Sequence, residues 1–384
     1  MTQALQSGRF ELLDQAAIVY GTPFAAALDA EIVRRGDRSA LIVSTRSLAE
    51  RADAAARALR VARVDVETAI PAHSPMPAVF ALARRMEATA PDLVIALGGG
   101  SVIDAVKIAN LIRAEKIADR DALIARSMQK GGTPRSLGAP APRYIAVPTT
   151  LSGAEFGVIG GSVDPDTKIK FGFAAPWFCA QTIVYDPALP RATPDWLWLS
   201  SGVRAIDHAI EGVLSPDANP FIDGCSLQGL ELLAQSLRAT KADPADAVAR
   251  QQSQFGVWLA TQGVGRVRYG ASHGVGHQLG AVAGVPHGYT SCVMLPAAMR
   301  WNLRVTQAQQ ARVARMLGEG PDAAGAVRAL IASLGLPTRL SDVGVTPGLY
   351  GRIAELAMAN PFVQANPRKI EKPEDIVEIL KLAE

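Results

Sequence analysis

Short apolar runs alternate with amphipathic stretches through the first half of the chain, and the alternation ends near residue 186. The apolar runs predict strands at 16–20, 40–44, 61–66, 93–97, 144–147 and 182–185. Helical spacing between them predicts helices at 23–34, 47–59, 77–89 and 102–115. Alternating strands and helices imply a parallel sheet covered on both faces. Residues 128–142, rich in Gly, Pro and Ser, read as a surface loop. Beyond Asp186-Pro187 the strand pattern stops. Helical periodicity then predicts helices at 196–213, 222–239, 246–262, 308–317, 323–334 and 349–358, with a closing helix starting near Lys372-Pro373. The expected architecture is an α/β domain over residues 1–186, a parallel sheet flanked by helices, followed by an all-α domain over 187–384. No internal repeat or low-complexity tract interrupts it.

Two segments of the first half carry nucleotide-binding chemistry. The run ending at Leu97 is followed by Gly98, Gly99, Gly100 and Ser101 and then a helix. Glycines let backbone approach a phosphate, and a helix start offers free N–H groups and a positive dipole end. The spacing is not the Rossmann G-x-G-x-x-G, which adds nothing here. The run ending at Val147 enters Pro148, Thr149, Thr150, Leu151, Ser152, Gly153, Ala154 and Glu155, whose hydroxyls suit a ribose or adenine but also fit an ordinary turn. The strand at 40–44 leads into Thr45 and Arg46 with no acid to hold a ribose 2′-hydroxyl, so NADH and NADPH are both allowed. Arg46 is either a 2′-phosphate partner or a solvated arginine.

The second half concentrates its chemistry in histidines. Four of the five, His208, His273, His277 and His287, fall in two short segments. Arg204 and His208 are four apart on one helix face, and His273 and His277 share that spacing. A divalent metal bound by such imidazoles ordinarily takes an acidic ligand as well, yet four residues before His208 stands Arg204, a permanent cation. Asp207 lies about 100° round the helix from His208, so those two do not chelate together. Glu211, three residues beyond His208, is the better placed substitute. Arg204 can also pair with Asp207, and a guanidinium there favours a bound carboxylate over a metal. His73, in a Pro-rich stretch, reads as a loop residue bordering a cleft.

Composition narrows the class. The chain has 384 residues, 49% of them hydrophobic and 20% charged, which suits a globular protein of two or three domains. A net charge of +3 gives no case for nucleic acid or membrane partners. Three scattered cysteines form neither a disulfide framework nor a ligand cluster, and the first ten residues lack the apolar core of a secretion signal, so the expected compartment is the cytoplasm.

Together these features resemble the iron-containing alcohol dehydrogenase family over nearly the whole chain. The likeness rests on Gly98 to Ser101 with Asp104 and Lys107, on Pro148-Thr149-Thr150, on Lys170 six residues before Pro176, on Tyr185-Asp186-Pro187, and on the spacing of His273, His277 and His287. It implies a dinucleotide-binding first domain, a helical catalytic domain, a cleft between them and usually a homodimer. It also implies that Gly99, Gly100, Ser101, Asp104, Thr149, Thr150, Ser152 and Lys170 hold NADH or NADPH, with Lys170 near the nicotinamide ribose. In metal-dependent members the ligands fall on the positions of Arg204, His208, His273 and His287; the arginine breaks the set and predicts a site without metal.

Within the family, the short spacing from Thr149 to Glu155 and the closing Asn366-Pro367-Arg368 look like the maleylacetate reductase branch. That branch implies NAD(P)H-dependent reduction of a carboxylated conjugated enone, maleylacetate to 3-oxoadipate, in the breakdown of aromatic compounds. Arg204, His208, His273, His277 and His287 are then the catalytic group, with His277 the candidate proton donor. The alternative is an iron- or zinc-dependent alcohol or aldehyde dehydrogenase of the same family.

Overall fold

A computed structural model describes residues 12–132, 142–318 and 320–384. The first ten residues, expected to carry no secretion signal, and 133–141 of the expected loop lie outside the described residues. The start of that loop forms a short 3-10 turn, Met128–Lys130.

The first half runs β1 (Ala17–Tyr20), α1 (Phe24–Arg35), β2 (Ser39–Val43), α2 (Ala49–Ala58), β3 (Arg63–Glu67), α3 (Met76–Thr89), β4 (Leu93–Gly98), α4 (Gly100–Glu115), α5 (Arg120–Ala125), β5 (Tyr144–Pro148), β6 (Ile159–Val163), β7 (Lys170–Ala174) and β8 (Thr182–Tyr185). Six of these strands form one sheet in the order β1-β8-β5-β4-β2-β3. Every pairing in it is parallel. The period-two geometry of a strand divides the residues of β2 between two cores. Leu41 and Val43 pack with α3 and α4, while Ala40 and Ile42 face Ala27, Leu28 and Ala52 of α1 and α2. Each such aliphatic side chain contributes about 1.5–3 kcal/mol by leaving water.

The antiparallel pair β6–β7 was not anticipated. Two glycines in β6 and a polar turn after it dilute the apolar signal; the pair is tied to α4 through Asp104 and anchored in the core by Phe171 and Phe173 of β7.

Helices account for the regular structure beyond β8: α6 (Asp195–Leu214), α7 (Pro220–Ala242), α8 (Ala247–Ala260), α9 (Ala271–Ala283), α10 (His287–Leu317), α11 (Ala323–Ser333), α12 (Tyr350–Ala357), α13 (Pro361–Gln364) and α14 (Pro373–Lys381). Three of these depart from expectation, α13 as a single unforeseen turn. Helix α9 carries His273 and His277 through three glycines. Helix α10 begins at His287, runs through Pro296 and absorbs the helix expected at 308–317, with a non-helical residue at Thr306. One core joins the halves: Leu151 and Phe156 pack in the same cluster as Leu199, Val203 and Leu237 of α6 and α7. Among the described residues no helix is long and apolar enough to cross a membrane.

Candidate active site

The sheet register brings the two nucleotide-type segments together. Gly98 at the end of β4 pairs with Pro148 at the end of β5, so the glycine turn and the threonine turn leave the carboxyl edge side by side. Thr149 N–H donates to the Gly98 carbonyl at 3.1 Å. The Thr150 side chain packs on Gly99, and Ser152 Oγ approaches Gly100. No side chain caps α4 at Gly99. An uncapped helix start on a glycine turn, at the carboxyl edge of a parallel sheet, fits a dinucleotide pyrophosphate. Arg46 is exposed, just past β2.

Two residues of the sequence motif turn inward instead. Lys107 is buried and donates to the carbonyls of Ala154, Gly157 and Ile159 at 2.6, 2.9 and 2.9 Å. It holds the segment after the threonine turn against α4. Asp104 Oδ2 accepts the Gly161 N–H at 3.1 Å and ties β6 to the same helix.

In the helical half, α6, α9 and α10 converge on one buried cluster. Arg204 Nη1 donates to Ser291 Oγ at 3.0 Å, and Ser291 Oγ donates to Asp207 Oδ2 at 2.6 Å. Ser272 Oγ donates to the same oxygen at 2.8 Å. No other protein acceptor for the Arg204 guanidinium is found among the described residues. Glu211 accepts the backbone N–H groups of Gly270 and Ser272 at 3.0 and 2.9 Å, which caps α9, and receives His273 Nδ1 at 2.7 Å. His273 Nε2 lies 3.0 Å from His208 Nδ1. Asp207 Oδ1 is buried with no hydrogen-bond donor and stands 3.5 Å from His273 Nδ1.

The imidazoles form two pairs. His208 and His273 make the first, with ring centroids 4.7 Å apart. His277 and His287 make the second, stacked at 5.8 Å with an angle of 7° between the rings. Phe362 sits edge-on to both His273 and His277.

Charge divides the pairs further. Burial, then the His273 and Arg204 charges, hold His208 well below its ordinary basicity. Burial and Arg204 do the same to His277, and Arg204 ahead of burial does so to His287. For His273, burial and Arg204 oppose the charged form, but Asp207 and the contacts to Asp207 and Glu211 outweigh them and raise its pKa. Burial resists ionisation of Asp207 as well, yet His273, Arg204 and Ser291 keep it lowered. The pattern is a fixed guanidinium, one imidazole whose charged form two carboxylates favour, and three imidazoles whose charged form burial and Arg204 oppose. When His273 is protonated both its nitrogens donate and His208 Nδ1 accepts, and a hydrogen bond to the Ser152 backbone links the His208 ring to the threonine turn.

This donor set does not fit the family's metal. One of the four expected positions holds a guanidinium whose charge falls on every imidazole nearby. Donor atoms of Asp207, Glu211 and His273 do lie within 4.8 Å of one another. Glu211, the expected substitute ligand, has its oxygens occupied by α9 backbone and His273, and Asp207 Oδ2 by two serines.

Sequence reasoning named Arg204, the histidines, Asp207 and Glu211, but not the serines that orient them. Ser272 and Ser291 carry no signal of their own; each matters only because α9 and α10 meet α6. The closing Asn366 is a clasp. It accepts Ala271 N–H at 3.0 Å and exchanges hydrogen bonds with Asn302 at 3.1 and 2.7 Å, fixing α9 to α10.

Comparison with known proteins agrees with this geometry. Residues 16–187 match the model of the iron-containing alcohol dehydrogenases, and residues 198–383 match that of the carboxyl-terminal part of the same family. The dehydrogenase ALT3 of Alternaria alternata is 34% identical, across 91% of this chain and 99% of that protein. A maleylacetate reductase of Sphingobium indicum is 30% identical, across 95% of this chain and 94% of its own length. The crystal structure of maleylacetate reductase from Agrobacterium tumefaciens superposes with a TM-score of 0.84 at 27% identity, covering 99% of this chain and 98% of that one. The chain is an oxidoreductase that belongs to the iron-containing alcohol dehydrogenase family.

Proposed function

We propose that the protein is an NAD(P)H-dependent reductase of a carboxylated conjugated enone, with maleylacetate the best candidate, and that it works without a metal. The observation that carries this reading is Arg204, a buried cation among four histidines with guanidinium N–H groups left over for a ligand carboxylate or enolate. Relatives named maleylacetate reductase support the substrate class.

The glycine turn and α4 start hold the pyrophosphate, Thr149, Thr150 and Ser152 the adenosine side, and Lys170 stands at the nicotinamide end. The dinucleotide, when bound, supplies a hydride. As the alkene carbon β to the ketone accepts it, negative charge moves to the ketone oxygen. Arg204, with the neighbouring imidazoles, stabilises that charge in a buried site, where a fixed cation acts far more strongly than in water. His277 is assigned the relay of a proton from solvent to the adjacent carbon, its neutral ring taking one up as it gives one up, which completes the saturated ketone. The enzyme works as a homodimer in the cytoplasm.

The test is oxidation of NADH and of NADPH with maleylacetate, with 3-oxoadipate identified as product, by wild type and Arg204→Ala. Removing an electrostatic stabiliser of this kind costs roughly 100- to 1,000-fold in kcat. Unchanged turnover and unchanged substrate affinity in the variant would overturn the role of Arg204. A second reading, a metal-dependent alcohol or aldehyde dehydrogenase, is favoured by the gathering of Asp207, Glu211 and His273 donors. It requires stoichiometric iron or zinc that is lost together with activity.

A further inference from the structure

Asn360 stands at the head of α13, and the two ends of its side-chain amide face different partners. Its Oδ1 accepts the Phe362 N–H at 3.0 Å and so caps the turn. Its Nδ2 lies 3.3 Å from the Gly274 carbonyl oxygen and 3.4 Å from His277 Nδ1. The oxygen and nitrogen of an amide are told apart by what they face. Turning this amide over would set its NH2 group against the Phe362 N–H and its oxygen against the Gly274 carbonyl. Both contacts therefore direct the NH2 group toward His277. An N–H facing Nδ1 requires a lone pair there, so the hydrogen of the neutral ring sits on Nε2.

The ring itself is held on its faces and edges. His287 stacks on it at 5.8 Å with 7° between the planes, and Phe362 meets it edge-on at 5.6 Å. These two contacts fix the plane of the ring, yet they accept it equally well after half a turn about its bond to Cβ. Of the three neighbours, only Asn360 distinguishes the Nδ1 edge from the Cδ2 edge. The capped turn reaches α9 because Gly274 leaves room for it. A Cβ there would fall 2.9 Å from Val363 N and 3.3 Å from Phe362 Cβ. Among the described residues no other group hydrogen-bonds to the His277 ring, which leaves Nε2–H for a ligand.

We infer that Asn360 is a positioning residue that holds His277 as its Nε2–H tautomer and makes Nε2 the nitrogen that gives the proton. The inference rests on the reductase reading for the step that this arrangement serves. In that step the Nε2–H bond breaks, and the electron pair of the enolate forms a C–H bond at the carbon beside the ketone. A solvent proton bonds to Nδ1 at the same time, in place of the long Asn360 contact, so the ring stays neutral. Two donors, Nδ1–H and the Asn360 NH2 group, then face each other. Their repulsion resets the ring: Nδ1 releases its proton to solvent as Nε2 regains one. Asn360 acts throughout by way of His277.

Nitrogen-15 spectra of the histidine side chains in the full chain read the tautomer directly, with His277 assigned by its loss in His277→Gln. Wild type is expected to show a pyrrole-type shift at Nε2 and a pyridine-type shift at Nδ1. Asn360→Asp keeps an equally good helix cap but turns an acceptor toward the ring, so Nδ1 should gain the hydrogen. Its thermal midpoint should match wild type. Its kcat with maleylacetate should fall at least roughly 10-fold, part of the roughly 100- to 10,000-fold that a placed proton donor supplies, with a smaller change in KM. Asn360→Ser, whose shorter hydroxyl caps the turn but leaves His277 unheld, should populate both tautomers. A pyrrole-type shift at Nδ1 in wild type overturns the inference, as does an unchanged tautomer in Asn360→Asp. So does an inverted tautomer with unchanged kcat, which would leave Asn360 a helix cap alone. The spectra need no substrate. If wild type reduces no carboxylated enone, the reductase reading and its proton step fall, while the tautomer assignment stands on the spectra.

Discussion

Arg204 and Asp207 lie 3.8 Å apart with the Ser291 hydroxyl between them, accepting from the guanidinium at 3.0 Å and donating to the carboxylate at 2.6 Å. The hydroxyl fixes the direction of the cation without letting it collapse onto the acid. Ser291→Ala removes that spacer, and the guanidinium is expected to fall back onto Asp207. Steady-state kinetics should show kcat reduced about 10- to 100-fold, a misplacement effect, with Ser291→Thr restoring most of it. A kcat unchanged in Ser291→Ala would show that the hydroxyl does not orient Arg204.

Lys107 makes a structural prediction. Its ammonium is buried and satisfies three backbone carbonyls, so Lys107→Met leaves all three without a donor. The expected loss is about 3 kcal/mol or more, the cost of stranding buried polar groups. Urea denaturation should show a lower midpoint with an unchanged slope. A midpoint within error of wild type would mean water or a rearranged turn replaces the lysine.

Glu155 makes a prediction about pH. Burial pushes its pKa up to about 7, against hydrogen bonds that include the Tyr185 hydroxyl at 3.1 Å. The folded chain therefore keeps a proton that the unfolded chain releases above its ordinary pKa of 4.5. The contribution is full below that value, falls as pH rises through about 7, and is then lost, a change of about 3 kcal/mol. Glu155→Gln carries no such proton, so its stability relative to wild type should rise between pH 5 and 8. Parallel stability curves for the two proteins would contradict the assignment.

The sheet was legible in the sequence because its inner strands β2, β4, β5 and β8 are buried and read as continuous apolar runs, while the edge strands β1 and β3 are only partly covered. The four leading helices were legible from their amphipathic spacing. Helix α9 was not, because Gly274, Gly276 and Gly280 lower its propensity below any pattern threshold. Tertiary packing explains Gly274: a Cβ there would meet Val363 Cγ2 at 2.6 Å and Val363 N at 2.9 Å. The start of α10 was hidden by Pro286 and Pro296. At the site, residue type and spacing identified Arg204 and the histidines. They did not reveal that His208 meets His273 while His277 meets His287, because α6, α9 and α10 approach only in three dimensions. His73 read as a plain loop residue because left-handed backbone at a non-glycine position, with φ of 64° here, leaves no mark in the sequence.

The central claim is that a fixed guanidinium serves where the family's metal would. It is tested most directly by assaying the purified protein with maleylacetate and NADH or NADPH before and after exhaustive chelation, with metal content measured on both samples. Equal turnover in both, with far less than one metal per chain, is the predicted result. Activity that disappears on chelation and returns with iron or zinc would contradict it and turn attention to Asp207, Glu211 and His273.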